Sequence, residues 1–202
     1  MPNDKIGVMG GTFDPIHNGH LFAADQASRA LSLDRVIFVP SRIPPHKSYP
    51  LMASAADRYG MTELAIRNNP RFEISRIEME RTGPSYTAET LERFKAECAG
   101  ALLFLITGID AALDIPNWYE PQKILSLCKV AVVARPGYIR DKISELDDIV
   151  RDSLIILDTD MIDISATDIR NRVSSGGSVR YMTPDSVCDY IAKNNLYSGT
   201  GE

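Results

Sequence analysis

Short apolar, β-branched runs alternate with helix-length segments along most of this chain, and that alternation narrows the folds open to it. Ile6–Met9, Val36–Val39, Phe72–Ile77, Leu102–Thr107, Val130–Ala134 and Leu154–Leu157 read as strands. Several are apolar on both faces, as parallel strands covered by helices are. Between them Gly19–Leu31, Ala53–Asn68, Thr87–Ala99 and Ile139–Val150 carry helical spacing, and Trp118–Leu127 is a shorter candidate with Pro121 near its start. The alternation predicts an α/β fold built on a doubly wound parallel sheet. Sheets of that kind take ligands beyond the carboxyl ends of their strands, where the strand order switches. After Leu157 the pattern changes to two helices, Thr167–Ser175 and Pro184–Asn195. We read this tail, about residues 158–202, as a small C-terminal helical cap within a single domain spanning 1–202.

With 202 residues, 44% of them hydrophobic, the chain can bury a proper core. Its formal net charge of −5 argues against general attraction to nucleic acid or to an anionic membrane, so positive charge for any anionic ligand must be local. The longest apolar run, Ala101–Ile106, is strand-sized rather than membrane-spanning. The first residues are polar and run straight into a strand, unlike a signal peptide. Cys98, Cys128 and Cys188 fit neither a disulfide framework nor a zinc site and read as buried free thiols. The expectation is a cytoplasmic protein with no nucleic-acid or membrane partner; a homo-oligomer is left open.

The densest motif runs Gly10-Gly11-Thr12-Phe13-Asp14-Pro15-Ile16-His17-Asn18-Gly19-His20. It follows the first strand and leads into a helix. Its glycines allow tight turning and close approach to a ligand. His17 and His20, three apart, fall on one face of the first helical turn, where unpaired N–H groups and the positive end of the helix dipole favour a phosphate. A protonated imidazole there would donate from both ring nitrogens. Neither the P-loop nor the dinucleotide fingerprint is present. These features point to a nucleotide triphosphate.

Four further stretches carry chemistry. In Ile164-Ser165-Ala166-Thr167-Asp168-Ile169-Arg170, Ser165 or Thr167 could cap a helix or donate to a triphosphate oxygen, and Arg170 adds a planar charged fork. Pro44-Pro45-His46-Lys47 is either a stiff loop offering Lys47 to a second phosphate-bearing substrate or a rigid surface loop with a solvated lysine. In Ser85-Tyr86-Thr87, Ser85 or Thr87 reads first as a helix cap, with N–H groups that could accept a carboxylate. After the fourth strand, Gly108 permits close approach and Asp110 could accept from ribose hydroxyls. Trp118 is either core or a platform for a flat ring, and Arg135 ends the next strand on the same side.

Together these pieces resemble the bacterial nicotinate-nucleotide adenylyltransferases. The match comprises Gly-Gly-Thr-Phe-Asp-Pro-Ile-His-x-Gly-His, Pro-Pro-His-Lys, Ser-Tyr-Thr, Gly-x-Asp followed by Pro-x-Trp, and Ile-Ser-x-Thr-x-Ile-Arg, in the family's order over nearly the whole chain. His-x-Gly-His alone is shared with a wider nucleotidyltransferase superfamily; the middle motifs narrow the choice. Residues 138–160 match nothing in it.

The resemblance implies a Rossmann-like nucleotidyltransferase that moves AMP from ATP to nicotinate mononucleotide in NAD biosynthesis, with Mg²⁺ accompanying ATP and held mostly by substrate oxygens and water rather than by the protein. It implies His17, His20 and Arg170 as catalytic, with the histidines on the ATP phosphates. Gly10, Gly11, Thr12, Phe13, Gly108, Asp110, Arg135, Ser165 and Thr167 would bind ATP. Lys47, Tyr86, Thr87 and Trp118 would bind the mononucleotide, with Tyr86, Thr87 and Trp118 at the nicotinate ring and carboxylate. The alternatives are a sibling enzyme acting on another phosphate, such as nicotinamide mononucleotide or phosphopantetheine, and a nucleotide-sensing module without turnover.

Overall fold

A computed structural model describes residues 4–45, 51–134, 148–160 and 162–199 of the chain. Its centre is a six-stranded sheet in which every pairing is parallel: β1 Lys5–Gly11, β2 Arg35–Pro40, β3 Phe72–Ile74, β4 Leu102–Gly108, β5 Cys128–Ala134 and β6 Leu154–Asp158. The strand order is β3-β2-β1-β4-β5-β6. The helices among the described residues are α1 Asn18–Leu31, α2 Ala55–Ile66, α3 Thr87–Glu97, α4 Ile109–Asp114, α5 Pro121–Leu127, α6 Asp148–Ser153, α7 Ala166–Ser174 and α8 Asp185–Lys193, with a 3-10 turn at Ile115–Asn117.

The period-two alternation of the strands sorts their side chains onto two faces. Ile6, Val8, Ile37, Val39, Leu103, Leu105, Val130 and Val132 meet Leu91 and Phe94 of α3 and Ile124 of α5. Met9, Val36, Phe38, Phe104, Ile106, Ala131 and Val133 meet Ala24 and Ala27 of α1, Met61 and Ile66 of α2, and Val187 and Ile191 of α8. Both faces are therefore buried, which is why these strands read as continuous apolar runs. Burying each such aliphatic side chain contributes roughly 1.5–3 kcal/mol.

Three readings need correction. The third strand stops at Ile74, because the Ser75 hydroxyl turns back to accept from the Ile77 amide at 3.2 Å; Ile77 joins the core from outside the sheet. The helix placed at Trp118–Leu127 starts only at Pro121, and a short helix the periodicity missed, α4, precedes it. Of the cysteines only Cys128 is buried, and burial pushes its thiol up to about 12; Cys98 and Cys188 are half-buried. The helix read at Ile139–Val150 lies mostly outside the described residues, which pick it up as α6. No described helix is long and apolar enough to cross a membrane.

Candidate active site

From β1 the chain moves outward to β2 and β3, then returns to β4 on the opposite side of β1. The strand order thus switches between β1 and β4, and the crevice beyond their carboxyl ends is where this architecture accepts ligands. Gly10-Gly11 ends β1 and Gly108 ends β4, so both glycine signals fall at that crevice. A Cβ on Gly10 or Gly108 would meet nothing within 4 Å, whereas one on Gly11 would lie 2.8 Å from the ring of Phe13. Phe13 turns there with φ 50, in the left-handed region that non-glycine residues rarely adopt, and its ring is buried. A cleft of about 230 Å³ opens here, and its lining includes Gly10, Gly11, Thr12, Ser41, Pro44, Pro45, Glu78, Ser85, Thr87, Thr107, Ala111 and Trp118. Larger hollows of about 490 and 520 Å³ lie beside Asp34 and Leu102, at the amino ends of the strands and away from the switch point.

The histidines come together, though not as the spacing predicts. His17 is the N-cap of α1, with extended backbone (φ −146), and only His20 stands in the first turn. Their rings stack with centroids 3.6 Å apart, and the edge of Phe13 packs on His20 at 5.1 Å. His20 Nδ1 accepts from the His17 amide at 3.3 Å, which puts the ring's donor at Nε2. Met182 O and Tyr181 O accept from the Asn18 amide and side chain, and the Thr183 hydroxyl donates to Ile16 O, so the C-terminal segment braces the turn on which both imidazoles sit.

His17 is buried, its Nδ1 has no hydrogen-bond partner, and burial lowers its pKa from 6.5 to about 4. The expected doubly donating imidazolium is therefore absent from the free protein near neutral pH, because burial disfavours the charge. As pH falls below about 6.5 the unfolded chain takes up this proton before the folded one does. Stability conferred by neutral His17 is then full above that pH and is lost progressively down to about 4, roughly 3 kcal/mol in all. Denaturant titrations at about pH 7 and about pH 4.5 should show a smaller loss in His17→Gln than in wild type, and equal losses would contradict the assignment.

Arg170 reaches back from α7 to the glycine loop: Nη1 donates to Asp14 O at 2.7 Å and Nη2 to the Thr167 hydroxyl at 3.1 Å. Ser165 is the N-cap of α7; its hydroxyl accepts from the Asp168 amide at 3.1 Å and donates to the Asp168 carboxylate at 2.7 Å. Ser165 and Thr167 are both exposed at this helix start. Asp14, which sequence reasoning passed over, organises the loop from inside. Its carboxylate accepts from the Met52 and Ala53 amides and, at 2.7 Å, from the buried hydroxyl of Tyr197. Tyr197→Phe removes a buried hydrogen bond to a charged acceptor and should cost about 2 kcal/mol in equilibrium unfolding. A change within about 0.3 kcal/mol would mean the contact carries no weight.

Across the cleft, neither Ser85 nor Thr87 caps α3. Tyr86 is its N-cap and Thr87 its first residue. The Ser85 hydroxyl instead accepts from the Arg42 and Ile43 amides, and the Ser85 amide donates to Ile43 O, stitching the β2–α2 loop to the start of α3. Trp118 is half-buried, packs against the core on one side, lines the cleft, and donates from Nε1 to Asp114 at 3.1 Å. Its neighbour Tyr119 stacks on Tyr86 at 4.3 Å, an aromatic pair the sequence reading missed although it stands beside the single tryptophan. Asp110 is exposed on the first turn of α4 and does not line the cleft. Burial raises the Glu78 carboxyl above its usual range, against the opposing pull of Thr90, Ser85, Arg81 and Ser41. Lys47 and Arg135 lie outside the described residues.

The sequence profile of the cytidylyltransferase-like family matches residues 8–172. Relatives from Roseiflexus castenholzii and Mycolicibacterium vanbaalenii, each named "Probable nicotinate-nucleotide adenylyltransferase", are 44% identical over 200 residues and 42% identical over 204. The alignments cover 98% of this chain in both cases, and 100% and 94% of those proteins. This chain belongs to the nicotinate-nucleotide adenylyltransferase family. Membership makes it a nucleotidyltransferase. A solved structure, Plasmodium falciparum nicotinic acid mononucleotide adenylyltransferase complexed with NaAD, superposes with a TM-score of 0.75 at 20% identity, covering 96% of this chain and 98% of that one. The same Plasmodium protein complexed with APC gives 0.74. At that identity the likeness speaks to the Rossmann-like nucleotidyltransferase fold, which the six-stranded parallel sheet shares.

Proposed function

We propose that this chain transfers AMP from ATP to nicotinate mononucleotide, forming deamido-NAD and releasing pyrophosphate. One observation carries the reading: a single cleft at the switch point joins a phosphate-suited glycine loop, Gly10–Thr12, to a ring-suited wall, Thr87 and Trp118. Each substrate of such a transfer has a side of that cleft. The acceptor phosphate is already a nucleophile, largely dianionic near neutral pH, so no general base is required. Its oxygen bonds to the α-phosphorus of ATP while the bond from that phosphorus to the bridging oxygen of pyrophosphate breaks. The protein's task is to align two anions and neutralise charge on the leaving group.

In this reading His20 donates from Nε2 to the triphosphate, and His17, stacked on it and holding its Nδ1, fixes the ring. Arg170 and the hydroxyls of Ser165 and Thr167 take the β- and γ-phosphates, with Gly108 and Asp110 near the ATP sugar. The first-turn amides of α3 take the nicotinate carboxylate, and Trp118 and Tyr86 take its ring. ATP would bring a divalent cation, Mg²⁺ in our reading, whose charge offsets that of the triphosphate. Mg²⁺ is usually held by substrate phosphates and water with one or two carboxylates and needs no dedicated protein cage.

The test is pyrophosphate release from ATP across a panel of nicotinate mononucleotide, nicotinamide mononucleotide and phosphopantetheine. Release with the first alone, or far faster with it, supports the reading. Preference for another acceptor would make this a sibling transferase, and ATP binding without release would make it a sensor.

A further inference from the structure

Arg58 is the largest fully buried side chain of the described residues, at 0% exposure, and it forms no ion pair within hydrogen-bonding distance. Its Nη1 donates at 2.6 Å to Thr12 O, in the glycine loop, and at 2.6 Å to Ser41 O, in the loop after β2; its Nη2 donates at 3.2 Å to Arg42 O. Burying a guanidinium costs several kcal/mol unless its donors are well used. Its two Nη groups are used on main-chain carbonyls of two loops, one after β1 and one after β2, that both reach the cleft, while its Nε is buried without a partner. Burial works against the charge and Asp14, in the same glycine loop, works for it. Around this cation the loops are laced together again: the Ser41 amide and hydroxyl both donate to Gly11 O, and Asp14 holds the Met52 and Ala53 amides just ahead of α2. From Ser41–Arg42 the lacing continues to Ser85, and so to the start of α3.

We propose that Arg58 is a positioning residue that couples the two substrate subsites, holding the glycine loop at Gly11–Thr12 in fixed spacing to the Ser41–Arg42 loop, which Ser85 ties to the start of α3. A buried methionine or leucine would fill much of the volume with less desolvation; what the guanidinium adds is one nitrogen, Nη1, bonded to a carbonyl of each loop, with Nη2 on a third carbonyl. Arg58 touches neither ligand. The proposal rests on the transferase reading only for the identity of those ligands.

Arg58→Lys keeps the charge, but its ammonium ends one bond short of the Nη1 position that bonds both loops. Calorimetric titration of wild type and variant with a non-hydrolysable ATP analogue, and separately with nicotinate mononucleotide, at a temperature where both are folded by circular dichroism, decides the matter. Both dissociation constants should rise together, each by about tenfold, the worth of one charge-assisted hydrogen bond. If either stays at the wild-type value, Arg58 does not couple the subsites. Leu33→Ala, a buried truncation near the strand amino ends, is the control for lost stability alone. It should leave both constants unchanged, and a matching rise in it would overturn the proposal. If Arg58→Lys does not fold, Arg58→Gln, which can still serve one loop, takes its place under the same outcomes. Wild type that binds both nucleotides yet joins nothing would sink the transferase reading and leave this comparison standing, because it is read in binding.

Discussion

His20→Ala should lower kcat by about 10²–10³-fold, the usual consequence of losing one preorganised donor to developing negative charge. The imidazole is held on three sides before any substrate arrives. The His17 amide fixes Nδ1 at 3.3 Å, the His17 ring stacks on one face, and the edge of Phe13 packs at 5.1 Å. A donor placed in that way need not reorganise during the reaction, which is where such groups gain their value. The loss should fall on kcat more than on KM for ATP, because the charge it meets grows only as the bond to pyrophosphate breaks. His20→Asn, which keeps a donor with shorter reach, should fall between alanine and wild type. Single-turnover rates at saturating ATP make the measurement, and an unchanged rate in His20→Ala would remove this side chain from the chemistry.

The second large effect concerns the acceptor. Nicotinate mononucleotide should be used about 10²-fold more efficiently, in kcat/KM, than its amide counterpart. The first-turn amides of α3 have no partner within the helix, and the dipole of its 11 residues adds positive potential at that end. A carboxylate answers every donor presented there. A carboxamide offers one oxygen and turns an NH₂ group toward donors, leaving them unpaired. Initial rates with each mononucleotide at one pH make the comparison, and equal efficiencies would show that the α3 end does not read the substituent.

Much of this molecule was legible along the chain because its signals are local. The apolar runs gave six strands, and their two buried faces explain why the runs were continuous. The Gly10–His20 motif lies within one strand–helix turn, so its residues were close along the chain, although His17 sits at the N-cap and not on the first turn that the spacing predicted. What escaped were contacts between distant residues. Tyr197 meets Asp14 across 183 positions, and Arg58 meets Thr12 across 46. No periodicity encodes either pairing. Arg58 did leave a trace, since it stands one helical turn before Met61 and Thr62 on the buried face of α2, where a charged residue has to be explained. Capping was misread for a related reason: a serine before a helix is a good cap in isolation, but the Ser85 hydroxyl met the amides of Arg42 and Ile43. The charge of His17 was misread because burial cannot be seen in a motif.

The bonds from residues 181–183 to Ile16 and Asn18, and from Tyr197 to Asp14, have a consequence for biosynthesis. All six strands leave the ribosome before these braces do. The histidine turn therefore stays unbraced, and one face of the sheet uncovered by α8, until the last stretch of translation.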